Sequence, residues 1–378
     1  MPILWRYLIS HFLKIVSMCV IAFVSILLTM RFDDIAHFAT LGASLHYIVF
    51  FTLYQIPYIL PIALPLSCLI ASLILFQKLS SSHELTALRA SGFSIRDILA
   101  PILITAVFLS MTNFWIASEL ATYSHLKTNL LKSELRSINP LLLLNNKHLM
   151  RLKGYYFEAL GPNRVGESAS ELILAIPNFH QERLYLMIAQ NLKASPKQFI
   201  GTGMTFLSAA KSTKDDEFDH VLVENTGKSL TNIENFSSFL EKKVWTINND
   251  YLKLSLLLAR IKEQKELLGR NENHTLVKQL RHQLNRSQSE IVKRTSIAIA
   301  VFSLTLMGAA FAMNISRNKR MINLFIIIAL TAIYLISFFT AKGLEHQRLL
   351  SSILFLLPHV LIITASLIYV RRMSRGIE

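Results

Sequence analysis

Six apolar runs constrain this chain more than any other feature. They lie at 8–30, 47–76, 98–117, 296–313, 321–341 and 349–370. Each is about 18 residues or longer, which suits a helix crossing a hydrocarbon core of about 30 Å. A backbone in lipid must satisfy its own hydrogen bonds, so it spans as helices or as a closed barrel. These runs are continuous rather than alternating, which selects helices. With 52% hydrophobic residues and a mean hydropathy of +0.42, the chain reads as an integral membrane protein. The first run exceeds a signal-peptide core of about 7 to 15 residues and no A-x-A-like site follows it, so it reads as a retained span.

The second run carries Pro57, Pro61 and Pro65 at four-residue spacing. Each proline removes a backbone N–H, so the freed carbonyls need neighbours. The ladder is either plain architecture or a flexible cavity wall. Arg31 directly follows the first run, with Asp33 and Asp34 beyond it. It is either a snorkelling anchor or a cation that meets a ligand.

Between the third and fourth runs lies the one large polar insert. Its first part, 119–137, continues a helical pattern and carries Lys127, Lys132 and Arg136, the last two at i, i+4. From 140 to 249 the pattern changes to short apolar runs at 155–160, 171–176, 184–190, 198–209 and 218–224, with the turn residues Gly161-Pro162, Ser195-Pro196 and Thr226-Gly227 between them. That pattern predicts an antiparallel sheet or sandwich. Helical character returns from 251 to 293, interrupted at 269–274. The layout is three spans with their short loops (1–118), a β-rich insert with flanking helices (119–294) and three more spans (295–378).

Between spans 2 and 3 the stretch 80–94, SSSHELTALRASGFS, predicts a helix of about three turns. Ser81 and Glu84 have capping-box spacing. Leu85 and Leu88 recur at i, i+3, Arg89 sits beside them, and Gly92 supplies a left-handed end. This is either a connector or a helix that couples the spans to a soluble partner.

The formal net charge of +15 points to nucleic acid or to anionic lipid. No Arg-rich tract or aromatic-interleaved motif of a nucleic-acid module is present, so lipid is favoured and nucleic acid is not expected. In the short loops, ten Lys and Arg fall on one side (Arg6, Lys78, Arg89, Arg96, Arg317, Lys319, Arg320, Arg371, Arg372, Arg375) and three on the other (Arg31, Lys342, Arg348). The positive-inside rule then puts both termini and the 80–94 stretch in the cytoplasm, and the insert outside.

No catalytic constellation is found. Gly227-Lys228-Ser229 looks like the end of a P-loop, but Leu222 stands where the first glycine belongs. The histidines lack ligand spacing, His359 reads as a packed or lumen-facing residue, and the two cysteines, Cys19 and Cys68, sit inside spans. No metal, cofactor or enzymatic activity is expected. If the chain transports, energy comes from a separate subunit that binds ATP.

The residues that remain resemble the LptF/LptG (YjgP/YjgQ) lipopolysaccharide-export permeases along essentially the whole chain. The matches are RYL at 6–8, IPYILPIALPL at 56–66 and HELTALRASGFS at 83–94, which is similar to that family's coupling-helix signature E-L-x-x-L-R-A-x-G. The resemblance implies six transmembrane helices, with a periplasmic all-β, jelly-roll-like domain between helices 3 and 4, in the bacterial inner membrane. It implies a permease subunit of an ABC-type exporter that extracts lipopolysaccharide and passes it to a periplasmic bridge for outer-membrane assembly. The implied partners are the ATPase LptB at Glu84, Leu85, Leu88 and Arg89, a paralogous permease, and the LptC and LptA bridge. Arg31, with Lys132 and Arg136, would meet the lipid's phosphates. The alternative is a non-transporting membrane protein that transmits ATPase strokes to an extracytoplasmic partner.

Overall fold

The computed structural model describes residues 2–40, 45–138, 150–152, 155–161, 168–178, 183–194, 198–210, 220–232, 248–270, 274–313 and 320–374. They fall into two compact units, one of Met1–Phe32, Leu53–Lys127 and Ile247–Glu378, the other of Asp33–Thr52 and Thr128–Thr246.

The first unit is helical. It holds α1 (Pro2–Thr29), most of α3 (Leu45–Ser81), α4 (Glu84–Ala90) and α5 (Ile95–Trp115), which passes through one π-helical turn, Ile116–Leu120, into the first residues of α6 (Ala121–Ile138). After the insert come a 3₁₀ turn (Asn249–Tyr251), α7 (Leu254–Arg270), α8 (His274–Ala312), α9 (Arg320–Gly343) and α10 (Arg348–Ser374). Among the described residues six helical stretches are long and apolar enough to cross a membrane: Ile3–Thr29, Leu45–Ser81, Ile95–Lys132, Val277–Ala312, Ile322–Gly343 and Arg348–Ser374. The protein is therefore a multi-pass, α-helical membrane protein with an inserted antiparallel sheet, as its hydropathy pattern required.

Within the first unit α3 and α8 are the inner helices. Gly308 of α8 lets them approach, since a Cβ there would meet Ser72 Oγ and lie 2.6 Å from the Leu69 carbonyl oxygen. Lipid gives helices no hydrophobic reason to associate, so polar side chains and close packing hold them instead. Ser110 donates to the Ala298 carbonyl at 2.6 Å and Ser337 to the Leu354 carbonyl at 2.7 Å. His359 of α10 is buried, with Ser296 Oγ 2.9 Å from Nε2 and Ser303 Oγ 3.0 Å from Nδ1. It is a packed residue.

The proline ladder leaves α3 one continuous helix of 37 residues. Pro65 cannot donate to the Pro61 carbonyl four residues back. Asn113 of α5 fills the vacancy, donating from Nδ2 to that oxygen at 3.2 Å and to the Ile297 carbonyl of α8 at 3.2 Å. Architecture thus accounts for this rung of the ladder.

The 80–94 stretch differs from its expectation. It is not one helix of three turns. α3 runs on to Ser81, and α4 is only 7 residues long. Ser81 forms no capping box, because its hydroxyl turns back to the Lys78 carbonyl at 3.0 Å within α3. The residue before α4 is His83 in the left-handed region (φ 60°), with no side-chain cap. The capping box lies further along, where Ser94 and Asp97 exchange side-chain and backbone bonds at the start of α5. Gly92 does occupy the left-handed position (φ 90°). The Phe93 N–H reaches the Leu88 carbonyl and the Gly92 N–H the Arg89 carbonyl, which together form a Schellman end.

The second unit joins a short helical part to the sheet. Phe38 of α2 (Phe32–Thr40) stacks on Phe51 of α3 at 4.2 Å, with Ile35, Ile48 and Leu131 packed around them. The sheet is β1 (Met150–Leu152), β2 (Tyr155–Ala159), β3 (Ser168–Asn178), β4 (Arg183–Ala194), β5 (Gln198–Ala210) and β6 (His220–Asn232), antiparallel throughout and in sequence order. The five strands expected from the sequence are present, but β6 runs straight through Thr226-Gly227, where a turn was expected. A transverse crease explains this. Ser170 pairs with Asn191 and Leu172 with Ala189, Thr202 with Asn191 and Met204 with Ala189, Thr202 with Lys228 and Met204 with Thr226. Glu171, Gln190, Gly203 and Gly227 are the residues skipped. Glu171 (φ 53°) and Gly203 (φ 62°) are left-handed. The register is the same on either side, so each skipped residue stands opposite another, and the alternation of burial shifts by one across the crease. Buried Ala169 and Leu192 on one side of the crease, and Leu172, Ala189 and Met204 on the other, therefore face the same interior. The expected turn at Pro162 and at 195–196, the 314–319 connector and Arg375 lie outside the described residues.

Candidate functional site

Two places concentrate unusual side chains, and both belong to the helical unit. The first is α4. Leu85 is only 1% exposed and packs into the unit's own hydrophobic core, with Leu88 half-buried against it. Full burial of a leucine contributes about 1.5–3 kcal/mol, so this apolar stripe fastens α4 to the spans. Glu84 accepts from Tyr7 Oη of α1 at 3.3 Å and from Ser82 Oγ at 3.0 Å. Its carboxylate thus bridges α4 to the first span. The face turned away from the protein consists of Thr86, Ala87 and Ala90, with Arg89 at its margin. Of the four coupling residues named from the sequence, Leu85 is inside, Glu84, Leu88 and Arg89 are partly accessible, and the open face belongs to smaller neighbours that the sequence reading passed over.

The three cations named from the sequence do not all lie on one element. Arg31 lies with its guanidinium carbon 5.4 Å from the centroid of the Tyr58 ring. Tyr58 stacks on His125 at 4.3 Å, and His125 meets Tyr251 at 4.5 Å, so a cation–aromatic column runs from the turn after α1 through α3 and α6 to the 3₁₀ turn. Lys132 belongs to the other unit. It pairs with Asp34 at 3.3 Å, with its ammonium 5.2 Å from the Phe51 ring centroid. Arg136 lies on α6, and its side chain is outside the described residues.

The second place was not found from the sequence. Glu290, Lys293 and Arg294, at i, i+3 and i+4 on α8, meet Asp250 of the 3₁₀ turn. Lys293 pairs with Asp250 at 2.9 Å and also with Glu290, while Arg294 Nε donates to Glu290 at 3.0 Å. Arg294 Nη2 donates to the carbonyls of Asn249 (3.1 Å) and Leu252 (2.9 Å), so one guanidinium pins the segment that returns from the insert. Arg260 of α7 adds a bond to Asn249 Oδ1 at 2.9 Å. Burial pushes the Asp250 carboxyl upward, but the Lys293 ammonium outweighs it and holds the group at about 2. Four charges with so little water are tolerated only because each is paired; removing one would strand another.

These residues line a cavity of about 110 Å³, with Tyr58 and Lys342 also on its wall. Arg31 therefore lies one aromatic ring away from it. The sequence signal was present, as a carboxylate and two cations spaced to share a helix face immediately before an apolar run. A solvated helix carries the same pattern, so it did not stand out. Among the described residues no group of His, Cys, Asp and Glu is placed to hold a metal. The chemistry on offer is ionic and hydrogen-bonding, bordered by apolar side chains.

A family model described as lipopolysaccharide export system permease LptF/LptG matches residues 6–372. No curated protein matches the chain.

Proposed function

The chain belongs to the LptF/LptG family of lipopolysaccharide export permeases, and from that premise we propose that it is the membrane-spanning permease of an ATP-driven exporter in a bacterial inner membrane. The carrying observation is the family match over nearly the whole chain. In this reading both termini and α4 face the cytoplasm, which the distribution of Lys and Arg in the short loops supports. The sheet then faces the periplasm.

A separate ATPase, LptB, would bind over the open face of α4. Leu85 and the Glu84–Tyr7 bond would carry the stroke inward, because they fasten α4 to the spans. A paralogous permease would complete the lipid cavity. At the far end of the sheet, β6 exposes Val221, Leu222 and Val223 in succession on an edge strand. Such an edge suits strand addition by a partner, which supports hand-over of lipopolysaccharide to LptC and LptA. ATP would be held by the ATPase, since this chain lacks the first glycine of a P-loop.

The test is co-purification from membranes, comparing the native chain with Ala87→Asp on the exposed face of α4. The expected result is a soluble ATPase that travels with the native chain and is lost from a variant of unchanged melting temperature. An ATPase that stays bound to the variant, or none with either, would overturn the coupling role of α4.

A further inference from the structure

Between α5 and α6 the helix passes through one π-helical turn, Ile116–Leu120. A π-turn holds one residue more than an α-turn, so the start of α6 is offset from α5 by the rotation of one residue, about 100°. The turn leaves a hydroxyl unserved. Thr105, Thr112 and Thr122 on the same helical stretch each donate to the carbonyl four residues back, at 2.7, 2.9 and 2.9 Å. Ser118, inside the turn, is 2% exposed, and its Oγ has no hydrogen-bond partner among the described residues. In an α-helical register the Phe114 carbonyl would stand where those threonines find theirs. A buried donor left open carries the cost of its lost hydration, so hydrogen bonding at Ser118 favours the α form over the one adopted.

Contacts on either side hold the offset. Before the turn, Asn113 is fixed by the Pro61 and Ile297 carbonyls. After it, the segment returning from the insert grips the helix twice, through Tyr251 on the His125 ring at 4.5 Å and through Lys253 on Glu119 at 3.5 Å. A rotation of about 100° would carry His125 out from between Tyr58 and Tyr251. We infer that the π-turn is a releasable joint: while the returning segment holds His125 and Glu119 the offset persists, and once it lets go the turn closes to α-helix and Ser118 takes the Phe114 carbonyl. Each residue at the start of α6 then moves to the place of the one after it, so buried Thr122 comes to the exposed position that Tyr123 now holds. The joint lies between the cap at Ser94 and the entry to the insert, so it decides whether movement at 251–253 turns the helix beyond it. It needs neither lipid nor ATPase, and it can fail while the export reading stands.

The test uses the full chain in phosphatidylcholine nanodiscs, with Cys19 and Cys68 replaced by serine and Thr122→Cys as the reporter. A water-soluble maleimide should label the reporter slowly while the returning segment is intact. Tyr251→Leu removes one grip and Lys253→Gln the other, and each should speed labelling about tenfold as a minor state gains population. If Tyr251→Leu lowers the helix content, the milder Lys253→Gln carries the test alone. Loosened packing without rotation would give the same gain, so each variant is repeated with Ser118 deleted. That deletion makes the stretch continuous α-helix with α6 facing as it does now, and leaves no offset to release. Labelling should then return to the slow rate. A reporter labelled no faster in the variants, or labelled as fast with Ser118 deleted, overturns the inference.

Discussion

Asn113 shows how much one amide can hold in a bundle where water supplies nothing. Its Nδ2 serves the carbonyl that Pro65 leaves open on α3 and the Ile297 carbonyl on α8, so three helices meet at one nitrogen. Asn113→Leu keeps the volume and removes the donor. It should cost about 1–3 kcal/mol, read as a lower melting temperature in detergent, whereas Thr112→Val on the exposed side of α5 should leave it unchanged. Asp250 makes a pH-dependent prediction. Its carboxyl is held at about 2, below the ordinary value of about 3.9. It therefore binds fewer protons folded than unfolded near pH 3, and its contribution is full above about pH 4 and is lost as pH falls through about 2. The melting temperature of the native chain should fall more steeply over that window than that of Asp250→Asn. Neither residue announced itself in the sequence. An asparagine in an apolar run and an aspartate before a helix acquire meaning only from partners far along the chain.

At the scale of elements, hydropathy made the six spans legible because lipid selects one property over a whole turn-rich length. The five longer strands were legible too, from alternation and spacing. What failed was punctuation. Ser81 and Glu84 have the spacing of a capping box, yet α3 had already claimed Ser81, and the cap fell to Ser94 and Asp97. Thr226-Gly227 has the composition of a turn, yet Gly227 has no positive φ and lies on the crease, where a residue without a side chain is tolerated beside Gly203. β1, of only 3 residues, is too short to carry a pattern. Two predictions belong here. Ser94→Ala should destabilise the start of α5 by about 0.5–2 kcal/mol. Leu85→Ala should cost about 2–5 kcal/mol, since it opens a gap in the core at a residue 1% exposed, while Thr86→Ala on the same helix should be silent. Hydrogen exchange at the α4 and α5 backbone distinguishes all three.

For the whole molecule, the charge of the short loops predicts a topology, and that prediction is directly testable. With Cys19 and Cys68 replaced by serine, a membrane-impermeant maleimide applied to cells with a permeabilised outer membrane should label Lys228→Cys on β6 and spare Thr86→Cys on α4. The reverse pattern would invert the proposed orientation. The ion cluster and the sheet's crease were illegible at this scale, because both depend on how segments far apart in sequence come together.

The amide of Asn113 also sets a clock. Its acceptor at Ile297 lies 184 residues downstream, and a ribosome adding about 5–20 residues per second needs roughly 10–40 s to cover that interval. Throughout that wait the first three spans are made but α8 is not. The newborn half-bundle therefore holds a polar amide in lipid with one of its two carbonyls still unsynthesised. Until α8 emerges, the bond to the Pro61 carbonyl is the one of the two that the amide can make.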